Sequence, residues 1–224
     1  MDRREAYSRH TFGDDGVKGL RNVVSTSFAA TDLRKPIDAD TTHVAEDIET
    51  SGAAATEVTS GLYNPDVPRN LTVTVAADTD TDIAGGDITA EGRNVEGKHV
   101  EESFTVTDDT PETLEGDIAM KEVTKVSIPQ QDGDSVTVSV GVGNKLGLNH
   151  RIAENHSTRL AVGEGDGIEL ENPTAQQRSG DYVELNTVTP DSALDGETAL
   201  RAYTLGYNWH VNPINADPDY GTER

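Results

Sequence analysis

The chain reads as an all-β protein, an antiparallel β-sandwich of jelly-roll or immunoglobulin-like type with an extended N-terminal arm. Three observations carry that expectation. Two segments, LTVTVAA (71–77) and SVTVSVGVG (135–143), alternate strictly between apolar and small polar residues, the period of a strand with one buried face. Helical periodicity is almost absent while Thr and Val dominate, as a pleated surface prefers. Turn-forming clusters of Gly, Pro, Asn and Asp recur roughly every 8–12 residues, the spacing of sandwiches and barrels.

Taken in order, residues 1–35 are expected to form the arm, with LRNVVSTSF (20–28) as a first strand within it. Residues 36–61 are rich in Asp, Thr, Ala, Ser and Gly, and their one apolar group around Val44 and Ile48 is compatible with strand, short helix or loop. GLYNPDVP (61–68) is a turn. The strand 71–77 follows, then a loop at 78–87 and a short strand at 87–93 that pairs as a hairpin with 98–107 across the turn 94–97. DDTPETLEGD (108–117) reads as a loop and IAMKEVTKVSIP (118–129) as a strand carrying a bulge. QDGD (131–134) has the Asp-Gly chemistry of a hairpin turn leading into strand 135–143. After Leu148, strands are expected around 159–162, 168–170, 181–188 and 198–211, followed by a polar tail. The domain reading is an arm at 1–35, a β-sandwich at 36–149, and additional strands or a second small β domain at 150–224.

Composition narrows the classes of function. Hydrophobic residues are 33% and aromatics 4%, so the core is modest and built of Val, Ile, Leu and Thr methyls. The 41 acidic residues against 18 basic ones give a net charge of −23. Acids are scattered among Val, Thr and Ile instead of gathered in a tail, and the bases comprise twelve Arg and six Lys. Such a surface suits a protein dissolved in very high salt, where screening makes self-repulsion cheap. Residues 1–35 depart from this, with seven basic residues against five acidic, so Arg3, Arg4, Arg9 and Arg21 are candidates for docking the arm on an acidic partner surface. The absence of cysteine excludes disulfides, thiolate catalysis and zinc–thiolate sites. No apolar run is long enough to span a membrane and no secretory signal is visible, so synthesis and folding in the host cytoplasm are expected. Nucleic acid is a poor partner for a body of charge −25 (−23 less the +2 of the arm) without a basic stripe.

Motifs that carry chemistry are scarce. The sequence has no G-x-S-x-G, no H-E-x-x-H and no Walker loop, and the six histidines are scattered. The expectation is therefore no enzyme and no cofactor. One cation-binding candidate is Asp78, Asp80 and Asp82 at alternate positions, followed by Asp87: a loop able to offer several oxygens to Ca²⁺ or Mg²⁺, although it lacks the glycine and bidentate glutamate positions of an EF-hand. Tyr203, Tyr207 and Trp209 sit at odd positions of one strand and so share a face. That face suits core, a subunit interface or a platform for host glycan.

Four motifs occur in order: NPDVPRNLTVTV (64–75), GDITAEGRNVEGKHVEESFTV (86–106), MKEVTKVSIP (120–129) and SVTVSVGVGNKLGL (135–148). Together they resemble a β-domain recurrent in structural proteins of tailed viruses, with Gly86, Ile88, Gly92 and Gly97 matching the hairpin element. Met120, Lys121, Val123 and Thr124 match the strand that follows, and Gly141, Gly143, Lys145, Leu146, Gly147 and Leu148 the exit. The resemblance covers about residues 60–148 and implies a part in particle assembly without enzyme activity. With the acidic composition, it leads to the expectation of a capsid-surface decoration or turret protein of a haloarchaeal tailed virus. Such a protein would sit on the virion exterior, docked on the major capsid protein and assembled with itself, a trimer being one such order. The alternatives are a head–tail connector or tail component, and a host-glycan-binding module on the particle.

Overall fold

A computed structural model describes residues 24–152, 156–164 and 168–209, with side chains described from residue 29 and leaving out residues 156 and 205–209. It is nearly all β, with antiparallel sheets and a sandwich-like arrangement. Fourteen strands are described: β1 (Val24–Arg34), β2 (Asp40–Glu49), β3 (Thr56–Val58), β4 (Arg69–Ala77), β5 (Gly86–Arg93), β6 (His99–Val106), β7 (Glu112–Glu115), β8 (Glu122–Ile128), β9 (Val136–Gly147), β10 (His156–Val162), β11 (Glu169–Glu171), β12 (Ala175–Gln177), β13 (Thr187–Thr189) and β14 (Leu200–Trp209).

Two sheets build the central sandwich. One has the order β12-β13-β9-β4-β7, with β2 also paired to β9; the other has the order β3-β8-β5-β6. Alternation along β4 and β9 turns Leu71, Val73, Val75, Val136, Val138, Val140 and Val142 inward. They meet Ile88 and Ala90 of β5, Phe104 and Val106 of β6, and Val126 and Ile128 of β8 in one core. The hairpin β5–β6 forms in continuous register from Gly86↔Val106 to Arg93↔His99, as the turn chemistry at 94–97 predicts. The bulge expected in 118–129 lies where β8 meets β5: Glu91 pairs Lys125 while Gly92 pairs Val123, leaving Thr124 to donate its hydroxyl to the Glu91 carbonyl at 3.1 Å.

A third sheet, ordered β1-β14-β10-β11, joins the first and last described strands. Its inner face carries Leu33, Leu160, Leu200 and Ala202, which pack with Leu146, Leu148, Ile152 and Val188 into a second core. Strand β9 serves both cores. Its first half lines the sandwich, and Leu146 near its end lines the second cluster, so one continuous strand joins the two cores.

Four sequence expectations change. The first strand, expected at 20–28 within the arm, is described from Val24 to Arg34 and pairs with β14 from Val24↔Trp209 to Arg34↔Leu200. The loop expected at 108–117 contains β7, an exposed, acid-flanked edge strand on β4. Residues 181–188 are not one strand: Val183–Leu185 form a 3-10 turn before β13. The Asp-Gly segment 131–134 does not close a hairpin, because β8 and β9 belong to different sheets; the link crosses the sandwich, and the Asp132 and Gly133 amides are anchored on the Asp82 carbonyl at 2.9 and 3.1 Å. Among the described residues no helix is long and apolar enough to cross a membrane.

Candidate functional site

The residues of the four motifs gather around one buried arginine. Between Arg69↔Leu146 and Leu71↔Val142 the β4–β9 ladder shifts register, so that β9 bulges opposite Asn70. The Asn70 side chain fills the gap: its Oδ1 accepts the Lys145 N–H at 2.9 Å and its Nδ2 donates to the Gly116 carbonyl at 3.1 Å. Gly143 must be glycine here, because a Cβ would overlap the Asn70 amide. Arg69 is fully buried. Its Nε donates to the Gly143 carbonyl at 2.6 Å, and its Nη1 donates to the Ile37 carbonyl at 2.9 Å and to Asp66 Oδ1 at 3.1 Å. Its backbone exchanges both hydrogen bonds with Met120. The Gly147 N–H donates to the Pro68 carbonyl at 2.6 Å, and Gly92 lies so close to Met120 and the Glu122 carbonyl that no Cβ fits. Burial pushes the Arg69 guanidinium below its ordinary value, and the charge of Asp66 opposes that. Since arginine ionises only far above neutrality, it remains a cation with Asp66 as its counter-ion. This cluster is a fastening of the fold, sealed from solvent.

A second buried carboxyl lies nearby. Glu102 Oε1 accepts the Asp117 and Ile118 N–H groups at 2.5 and 3.0 Å, while Oε2 is buried without a partner among the described residues. Burial raises its pKa, against the pull of the two amides. Lys145 closes the group by donating to Asp117 Oδ1 at 2.6 Å and to the Gly116 carbonyl at 2.9 Å.

The solvent-facing concavity lies on the outer side of the third sheet. Inward residues of that sheet are buried (Thr31, Leu33, Thr158, Leu160, Ala202, Thr204), so their neighbours in sequence point the other way. Register places Asp32, Arg201 and Ala161 in one cross-strand row and Ala30, Tyr203 and Arg159 in the next. At the rim of this face a hollow of about 620 Å³ is lined by Asp32, Arg34, Lys35, Glu164, Ile168, Arg201 and Tyr203, among others. Lys35 pairs with Glu164 at 3.3 Å. Arg201 is held above the ordinary arginine value by its hydrogen bond to Tyr203, with the charges of Tyr203 and Asp32 adding to it. Arg159 donates to Asn172 Oδ1. Arg34 follows a register shift in β1 and has a left-handed backbone, φ 58°; its N–H donates to Asp32 Oδ1 at 3.1 Å, and its exposed guanidinium has no partner among the described residues.

The sequence candidates fall into three groups. Tyr203 stands in this hollow; the backbones of Tyr207 and Trp209 pair with Thr26 and Val24 of β1, and their side chains lie outside the described residues. The aspartates of the 78–87 loop are drawn apart: Asp80 and Asp82 lie in a 3-10 turn, Asp82 Oδ2 accepts the Ser135 hydroxyl at 2.6 Å, and Asp87 Oδ1 accepts that of Thr105 at 2.7 Å. Asp78 precedes that turn, and among the described residues no group of three or more His, Asp or Glu side chains is placed to hold a metal ion. Arg3, Arg4, Arg9 and Arg21 lie outside the described residues. Sequence reasoning missed the cations of the hollow, because Arg34 and Arg201 are brought together only by the pairing of the first strand with the last. No protein-family model, no curated protein and no solved structure matches the chain.

Proposed function

We propose that this chain is a non-enzymatic structural protein of a tailed-virus particle, seated on the capsid exterior as a decoration or turret protein and assembled with copies of itself. The observation that carries the reading is the convergence of the four motifs. Arg69, Asn70, Gly92, Met120, Gly143 and Gly147 lie up to 78 positions apart in sequence (147 less 69), yet they interlock in one buried cluster. Motifs that build a framework suit a β-domain whose task is to hold shape in an assembly. The modest core supports self-association, since subunit contact would bury apolar area that 33% hydrophobic residues leave scarce. Docking on the major capsid protein is assigned to the N-terminal segment with its excess of arginine. No metal or other cofactor is needed for such a role.

Quantitative mass spectrometry of purified particles tests this. A capsid-surface protein is expected in on the order of hundreds of copies per particle, whereas a ring at the portal or tail needs about six or twelve. Absence from purified particles would sink the reading, and a copy number near the ring value would move the protein from shell to connector.

A further inference from the structure

We infer that the hollow on the outer face of the third sheet binds an acidic saccharide, with the guanidinium groups of Arg34 and Arg201 receiving a sugar carboxylate and Tyr203 receiving a ring face. In a chain of net charge −23 the lining residues include three cations, Arg34, Lys35 and Arg201, against two acids, Asp32 and Glu164. Lys35 and Glu164 satisfy each other, and Arg201 faces Asp32 across the ladder, which leaves the Arg34 guanidinium as the uncommitted positive charge. A planar guanidinium matches a carboxylate with two parallel hydrogen bonds. The volume of about 620 Å³ lies within the roughly 300–1,000 Å³ of small-ligand pockets. A single-stranded nucleic acid would also use Arg and aromatics, but it needs a basic stripe along its backbone. One surplus cation in an acidic surface suits one carboxylate and repels a polyanion. This site stands whether or not the chain belongs to a virus particle.

The test is calorimetric titration of the full chain with sialyllactose, a trisaccharide bearing one carboxylate, with maltotriose as the neutral counterpart and a ten-residue thymidine oligonucleotide as the polyanion. The KCl concentration is the lowest that preserves a β-rich circular dichroism spectrum. The acidic trisaccharide is expected to bind at least ten-fold more tightly than either. Arg34→Gln and Arg201→Gln should each weaken it about ten-fold while leaving that spectrum unchanged, and Tyr203→Ala should weaken acidic and neutral sugar in the same ratio. If Arg201→Gln disturbs the fold, Arg34→Gln decides alone, since that guanidinium is exposed and makes no hydrogen bond or ion pair among the described residues. No binding, equal binding of maltotriose, tighter binding of the oligonucleotide, or an affinity indifferent to Arg34→Gln would each overturn the assignment. Particle copy number bears on none of these outcomes.

Discussion

Arg69 shows what a buried charge demands of its neighbours. A guanidinium taken fully out of water costs several kcal/mol unless its donors and its charge are met; here two carbonyls and one carboxylate meet Nε and Nη1, while Nη2 is buried without a partner among the described residues. Asp66→Asn keeps the shape of the partner, removes its charge and leaves one acceptor for two donors, Arg69 Nη1 and the Ile37 N–H, so it removes the ion pair together with one hydrogen bond. It should cost about 3 kcal/mol in a urea melt, the low end for a broken buried pair because the Asp66 side chain is 21% exposed. A loss below about 0.5 kcal/mol would mean that the carbonyls alone hold the cation. Glu102 makes the opposite case, an acid whose burial favours the protonated form. Its folded pKa is raised above the ordinary 4.5, so between those two values the native state holds a proton that the unfolded chain has released. Stability therefore falls as pH rises through that window and levels off above the raised value. Glu102→Gln retains an acceptor for the Asp117 and Ile118 amides and cannot ionise. The difference in stability between wild type and variant, followed from about pH 4 upward, should decline with pH and then flatten. A flat difference would show that Glu102 titrates as it does in the unfolded chain.

At the level of elements, legibility followed local pattern. Strands β4 and β9 announced themselves because both are central, buried on one face and free of breaks in alternation. Strand β7 did not, because an edge strand exposed on alternate residues needs no apolar signal and its ETLE sequence looks like acidic loop. Strand β2 was undecidable because its pairing with β9 shifts register twice. The Asp-Gly turn misled because turn chemistry specifies a local reversal, whereas the sheet that the next strand joins is chosen by distant partners. The same limit governed the hollow: alternation revealed the aromatic face of β14, but only long-range pairing sets Arg34 beside it. The third sheet pairs its edge strand β1 with β14, and among the described side chains of β1 only Leu33 belongs to the second core. Leu33→Ala should cost about 2–5 kcal/mol. By hydrogen exchange the added opening should fall on β1, β10 and β14, with β4, β5 and the first half of β9 retaining protection. Uniform loss of protection across all three sheets would show instead that the two cores melt as one unit.

For the molecule as a whole, charge decides the conditions under which this fold is the stable state. The described ion pairs engage few of the 41 acidic side chains, and most lie on the surface where an isolated pair contributes little. The remaining carboxylates repel one another across a small body, and unfolding relieves that repulsion by moving them apart. Added salt shortens the Debye length from about 10 Å at 0.1 M to about 3 Å at 1 M, which removes the repulsion between neighbouring side chains while leaving the sealed Arg69–Asp66 contact untouched. The thermal midpoint should therefore climb steeply between about 0.05 and 0.5 M KCl, where screening changes most, and more slowly toward 3 M, where exclusion of salt from apolar surface takes over. Sucrose at matched water activity separates the two causes, because it strengthens apolar burial without screening charge. If sucrose reproduces the whole rise, the acidic surface is a solubility device with no hold on the fold. If KCl stabilises at concentrations where sucrose does nothing, self-repulsion is the term that ties this chain to a saline medium. Subunit assembly, measured by light scattering over the same range, should then strengthen in step with the midpoint.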